Sequence, residues 1–234
     1  MHSSDRASLS RRQMLSLGLA TSALAVTGLA TPAWAITTQE KIVDLSRLTI
    51  EEFMSDPQLA DFQKFMKSAK GILIFPQMFK GGFILGAEGG NGVYLVKGAD
   101  GSWSPPAFYT FAAGSIGLQV GGQVSQAVFT VMNEKTVNSL IGGQFKMGAD
   151  ASVAVGPIGA GTGASTTTDF KFDIYSFSKT VGLFGGGALD GAGIIVNKDY
   201  DKAYYGSEAS SREILVDRKV FNPQADPLRQ ALPQ

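Results

Sequence analysis

Ala69-Lys70-Gly71-Ile72-Leu73-Ile74-Phe75-Pro76 is the stretch at which the chain changes period. Before it, Leu59, Phe62, Phe65, Met66 and Ala69 recur at the spacing that lines one face of a helix. After it, short apolar or alternating runs are separated by glycine, proline or Asn/Asp pairs, as strands are by turns. The runs are 72–75, 83–87, 92–97, 107–111, 116–120, 127–132, 151–155, 172–178 and 194–196. Helices followed by strands predict an α+β domain, with N-terminal helices packed on a mainly antiparallel, glycine-rich sheet. Of the 29 glycines, 27 lie beyond residue 35, many inside these runs. Glycine within a strand suits a bulge, a bend or a close backbone approach, so the sheet is also open to a barrel-like curl.

The boundaries of the helices are marked by capping signals. Thr37 and Glu40 have capping-box spacing and open a helix expected to reach about Met54. Asp56-Pro57 reads as an N-cap followed by proline at the first helical position, predicting a second helix over 57–70 that stops at Gly71. Asn133 caps a short helix over 134–141, which Gly142-Gly143 ends, and a further helix follows Ser211 through 213–219. Ala99-Asp100-Gly101 marks a tight turn. Pro223, Pro227 and Pro233 predict an extended or disordered tail after Val220.

Ahead of all this, Ser10-Arg11-Arg12-Gln13-Met14-Leu15 reads as a twin-arginine motif, and Pro32-Ala33-Trp34-Ala35 supplies the small residues a signal peptidase reads before Ile36. The weakly apolar stretch between them, about 16 residues, is shorter than the roughly 20 needed to span a membrane. The expected organisation is therefore a twin-arginine signal over 1–35, a helical segment over 36–66, the main domain over 67–220 and a proline-containing tail over 221–234. The expected location is the periplasm, with peripheral contact to a membrane. Export in the folded state fits a chain with no cysteine to oxidise.

Composition narrows the chemistry. The 234 residues include 20 Lys+Arg, 20 Asp+Glu, one histidine (His2) and no cysteine. Setting aside 1–35, with Arg6, Arg11, Arg12 and Asp5, leaves 17 basic and 19 acidic side chains, a balance of −2. That balance argues against nucleic acid as a partner, because such binding rests on dense Lys/Arg contacts to phosphate. Without His or Cys, a histidine-based serine triad, a Cys–His nucleophile, haem or iron–sulfur ligation and His/Cys zinc sites each lose an essential part. The expectation is a protein that is not an enzyme and holds no cofactor or metal. The carboxylates Glu88 and Asp100 are the candidates for a hydrolase, but no paired-carboxylate signal accompanies them.

Four lysines are the candidate lipid-binding residues. Lys64, Lys67 and Lys70 recur every three residues on the second helix, and Lys80 follows near Phe79 and Phe83. They read either as a solvated helix face or as a basic rim that meets anionic headgroups. Gly156-Pro157-Ile158-Gly159-Ala160-Gly161-Thr162-Gly163 lacks the Lys-Ser/Thr ending of a phosphate loop and reads as a turn. Asn197, Asp199, Asp201 and Glu208 echo a calcium loop, but Lys202 stands where that loop needs glycine and no helix signal precedes it, which predicts an acidic surface turn. Trp103 with Pro105-Pro106, and Tyr200, Tyr204 and Tyr205, suit either an aromatic platform or core packing.

The ordered set of motifs resembles the SYLF domain. Ala69-Lys70-Gly71, Gly82-Phe83 and Asp100-Gly101-Ser102-Trp103-Ser104-Pro105-Pro106 carry the resemblance in the first half. Ser152-Val153-Ala154-Val155-Gly156-Pro157-Ile158-Gly159, Tyr175-Ser176-Phe177-Ser178, Gly182-Leu183-Phe184 and Tyr204-Tyr205-Gly206 continue it. It covers roughly residues 67–216. The resemblance implies a lipid-binding module: eukaryotic members bind phosphoinositides at membranes, and fungal ones also bind actin filaments. The segment over 36–54 departs from the basic lead-in of eukaryotic members, with Lys41 and Arg47 against Glu40, Asp44, Glu51 and Glu52. Two functions of different class follow as expectations. One is binding of lipid headgroups or a membrane surface; the other is a protein-interaction or envelope-scaffold module with another envelope protein as partner.

Overall fold

The capping box at Thr37 forms as its spacing predicts. Its hydroxyl accepts from the Glu40 N–H (3.2 Å), and the Glu40 carboxylate accepts from the Thr37 N–H (2.8 Å). With two orphan donors satisfied, α1 runs over Thr38–Ser55 and buries Ile42, Val43, Ile50 and Phe53. The second helix is shorter than expected. Asp56 accepts from the Gln58 N–H (2.9 Å) and so caps a 3-10 turn over Pro57–Leu59, and α2 spans only Phe62–Ser68. Ala69 is already extended (φ −64°, ψ 139°), which leaves Lys70 outside the helix.

The computed structural model describes residues 36–59, 61–82, 85–116, 123–156, 170–179, 189 and 191–234. The expected signal over 1–35, the run 117–120, the glycine-rich loop beyond Gly156, and Gly182-Leu183-Phe184 lie outside the described residues. Eight strands form one sheet: β1 (Gly71–Gly82), β2 (Leu85–Val96), β3 (Ala107–Ile116), β4 (Gln123–Val131), β5 (Gln144–Lys146), β6 (Val153–Val155), β7 (Ile174–Ser178) and β8 (Gly193–Val196). Their order is β5-β8-β3-β2-β1-β4-β7-β6, and every pair is antiparallel except β6 with β7. The sheet curls into a half-barrel, so both the α+β class and the curl expected of its glycines hold. Within the curl, β1 is bulged against β4 between Phe75 and Met78. Opposite that bulge, Gly90 and Gly92 of β2 lie directly against the Gln77 and Ile74 carbonyls, where no side chain fits. The glycines separating runs 83–87 and 92–97 thus sit inside one long strand instead of breaking it.

Alternate residues of the long strands and β7 feed two cores. On one face, Leu73, Phe75, Tyr94, Tyr109, Phe111 and Phe129 pack with Val137 and Leu140 of α3 (Glu134–Ile141) and with Ile214 and Leu215. On the other, Ile72, Ile74, Val93, Phe108, Val128 and Phe177 pack under α1 and α2. Asn133 caps α3 by accepting from the Thr136 N–H (2.9 Å), as predicted.

The C-terminal third differs from expectation in three places. The acidic turn is a helix: Asn197 accepts from the Tyr200 N–H (3.1 Å) and opens α4 (Lys198–Tyr205), which Gly206 ends in the left-handed conformation (φ 69°). A second capping box, Ser210 with Glu213, starts α5 (Ser211–Leu215), which stops well short of the expected end at residue 219. The tail is folded rather than extended or disordered. Asn222 caps a 3-10 turn over Pro223–Ala225, and α6 (Asp226–Ala231) takes Pro227 in its first turn, where the missing N–H has no helical partner to lose. Leu228 and Leu232 are buried in the α1-side core. Gln224 donates to the Glu40 carbonyl (3.1 Å) and the Asp44 carboxylate (2.8 Å), and the Trp103 indole donates to the Pro233 carbonyl (2.9 Å).

Candidate functional site

The structure divides the four candidate lysines. Lys64 and Lys67 are exposed on α2, and Lys70 is exposed at the entry to β1. Lys80 lies ten residues further along β1, roughly 30 Å away in an extended strand, opposite Glu88 of β2. It takes no part in the α2 corner. Burial raises the Glu88 pKa and the Lys80 charge opposes that rise. The inner oxygen of Glu88 and the hydroxyl of Ser125 are both buried without a hydrogen-bond partner.

Lys97 joins the corner that Lys80 does not reach. Its N–H donates to the Lys70 carbonyl (2.9 Å), and its ammonium donates to the Lys67 carbonyl (3.3 Å). The same ammonium stands 5.6 Å from the centre of the Trp103 ring, within cation–π range. Burial, and after it the Lys70 charge, lower the Lys97 pKa. Among the described residues none of Lys67, Lys70 and Lys97 forms an ion pair with a carboxylate. A cleft of about 250 Å³ opens between this corner and α3, lined by Lys70, Val96, Lys97, Glu134, Val137 and Asn138. One wall ends in the predicted tight turn. There Gly101 has φ 79°, Asp100 accepts from the Ser102 N–H (3.1 Å), and Arg218 donates to the Ser102 carbonyl (2.9 Å).

The aromatic candidates are core. Trp103 is 2% exposed, Tyr204 donates to Gln224 (2.6 Å), and Tyr205 donates to the Pro106 carbonyl (2.7 Å). Nor do the acidic candidates converge. Glu88 and Asp100 lie towards opposite ends of β2, one buried and the other exposed in a turn. In α4, Asn197 is a cap, while Asp201 is 1% exposed and accepts from the Phe108 N–H (2.8 Å). Glu208 pairs with Lys202 (2.7 Å). Among the described residues no cluster of three or more His, Cys, Asp or Glu side chains could hold a metal, and no helix is long and apolar enough to cross a membrane.

Lys97 is the site residue that sequence reasoning missed. A lone lysine closing a strand carries no periodic signal; the pairing of β2 with β1, which sets Val96 opposite Gly71, brings it to the corner.

A curled, mostly antiparallel half-barrel flanked by helices, with three lysines gathered at one corner, defines the class: a small α+β module. The family described as Ysc84, Las17-binding protein actin regulator, matches residues 112–234. The chain belongs to this family, the one its SYLF motifs resemble. It is 33% identical over 170 residues to Protein YSC84 of Saccharomyces cerevisiae, covering 71% of this chain and 36% of that protein. It is 31% identical over 170 residues to LAS seventeen-binding protein 3 of the same yeast, covering 71% and 37%. It is 30% identical over 156 residues to SH3 domain-containing YSC84-like protein 1 of Xenopus laevis, covering 66% and 46%. The chain thus spans between about a third and a half of the length of these relatives.

Proposed function

We propose that this chain is a non-enzymatic module that binds lipid headgroups at a membrane surface in the periplasm, after twin-arginine export. The observation that carries the reading is the corner of Lys67, Lys70 and Lys97, where the Lys97 ammonium and N–H donate to the Lys67 and Lys70 carbonyls and, among the described residues, none of the three pairs with a carboxylate. Cations left unpaired beside an open cleft are available to an external anion, and each lysine near an anionic surface contributes about 1 kcal/mol. A Lys67→Gln/Lys70→Gln variant removes two charges while keeping the aliphatic stems, so vesicle affinity should fall by about 2 kcal/mol, roughly thirtyfold. Co-sedimentation with acidic vesicles measures this, and the loss should recur for the unaltered protein at high salt because surface charge is screened. Equal sedimentation of variant and parent would reduce the corner to a solvated face.

A second reading has its own support. The names of the yeast relative and of the family describe binding to Las17 and regulation of actin. On that precedent the module binds a protein of the envelope, and lipid vesicles of every composition should leave it in the supernatant.

A further inference from the structure

Beyond the α2 corner, a second and larger cleft of about 710 Å³ opens on the far flank of α3. Asn138 lines both clefts, so they adjoin along one helix. The larger one lies within the usual size range of small-molecule sites. Its lining has two characters. Ile141, Ile195 and Val196 are apolar, and Ile195 is 45% exposed although it sits on β8. Lys198 and Arg212 are the only charged residues of the lining.

Two carboxylates of the neighbouring segments are committed elsewhere. Glu213 closes the α5 capping box and pairs with Lys219 (3.1 Å), and Glu208 pairs with Lys202 (2.7 Å). Among the described residues neither Lys198 nor Arg212 forms an ion pair. A guanidinium presents two parallel donors to a phosphate, and an ammonium beside it adds a point charge. The exposed Ile195 in the same lining offers apolar contact to a hydrocarbon chain attached to the same phosphate.

We propose that this cleft binds a single phosphate-bearing amphiphile, with the phosphate on Arg212 and Lys198 and the chain along Ile141, Ile195 and Val196. The inference rests on the lipid-binding reading and gives it a pocket distinct from the Lys67–Lys70–Lys97 corner. The ligand is either a lipid drawn from a bilayer or a free phosphate ester, and the shared chemistry is the phosphate.

Calorimetric titration with dihexanoyl phosphatidic acid below its micelle concentration tests the pocket without a membrane. Inorganic phosphate and dihexanoyl phosphatidylcholine serve as comparison ligands. Saturable binding of the acid is expected, at least tenfold tighter than inorganic phosphate and at least tenfold weaker in a Lys198→Gln/Arg212→Gln variant of unchanged melting temperature. Ile195→Thr should weaken the amphiphile and leave inorganic phosphate unaffected. Equal affinity for amphiphile and inorganic phosphate overturns the apolar half of the proposal. Absence of saturable binding, or binding indifferent to the double substitution, overturns the whole. Vesicle co-sedimentation of the same variant keeps the two readings apart. If vesicles bind through the α2 corner while the soluble amphiphile does not, this pocket falls and the surface reading stands.

Discussion

Replacing Asp201 by Asn should remove most of the pH dependence of stability between mildly acid and mildly basic solution. The side chain is 1% exposed; one oxygen accepts from the Phe108 N–H (2.8 Å), and the other is buried without a partner. Burial raises its pKa from 3.8 to about 7, against the lowering effect of the Phe108 bond. Burial raises the pKa values of Tyr109 and Tyr205, and the charge of this carboxyl adds to the rise. Between the two values the native state holds a proton that the unfolded chain has released. Stability therefore falls as pH rises through this window and levels off above about pH 7. The full gap is worth about 4 kcal/mol, of which about 2.5 kcal/mol falls between pH 5 and pH 8. Asparagine keeps the acceptor for Phe108 and cannot ionise, so its advantage over the parent should grow by about 2.5 kcal/mol between about pH 5 and about pH 8. Urea unfolding of both proteins across this range measures the difference, and subtraction cancels every group they share. Stability profiles that run parallel from pH 5 to pH 8 would show that Asp201 titrates alike in both states and refute the argument.

Two further substitutions test the packing. Leu228→Ala empties a buried position under α1 and should destabilise by about 2–5 kcal/mol in urea unfolding; a negligible change would mean that α6 is not part of the cooperative unit. Gly92→Ala drives a methyl group into the Ile74 carbonyl and should cost about 1–3 kcal/mol, read as a lower Tm, whereas an unchanged Tm would mean that β1 and β2 do not approach so closely.

Local signals decided which parts of this fold were legible. Thr37–Glu40 and Asn133 satisfy backbone donors within their own first turn, so the starts of α1 and α3 could be read from three or four residues. The long strands show their alternation because each side feeds its own core. Distant partners hid the rest. Pro223 and Pro227 suggest a loose tail until the α1 face that Leu228 fills is known. Asp201 looks like part of an acidic turn until Phe108, 93 residues earlier, supplies its donor. β5 offers Phe145 alone as an inward residue, too little for any period to register. At the basic corner, the α2 lysines could be read from their spacing, but Lys97 arrives through sheet register, and Lys80 is carried off along the same strand that begins beside Lys70.

The seating of α6 on α1 also bears on when the protein can finish folding. The earliest described helix meets its cover only after residues 226–232 have left the ribosome, and Trp103 waits 130 positions for the Pro233 carbonyl. Contacts so distant in sequence close late and slowly. Until then the side of α1 that α6 covers stays open on the nascent chain, a surface for chaperones to hold. A chain that stops short of residue 226 would keep that side bare.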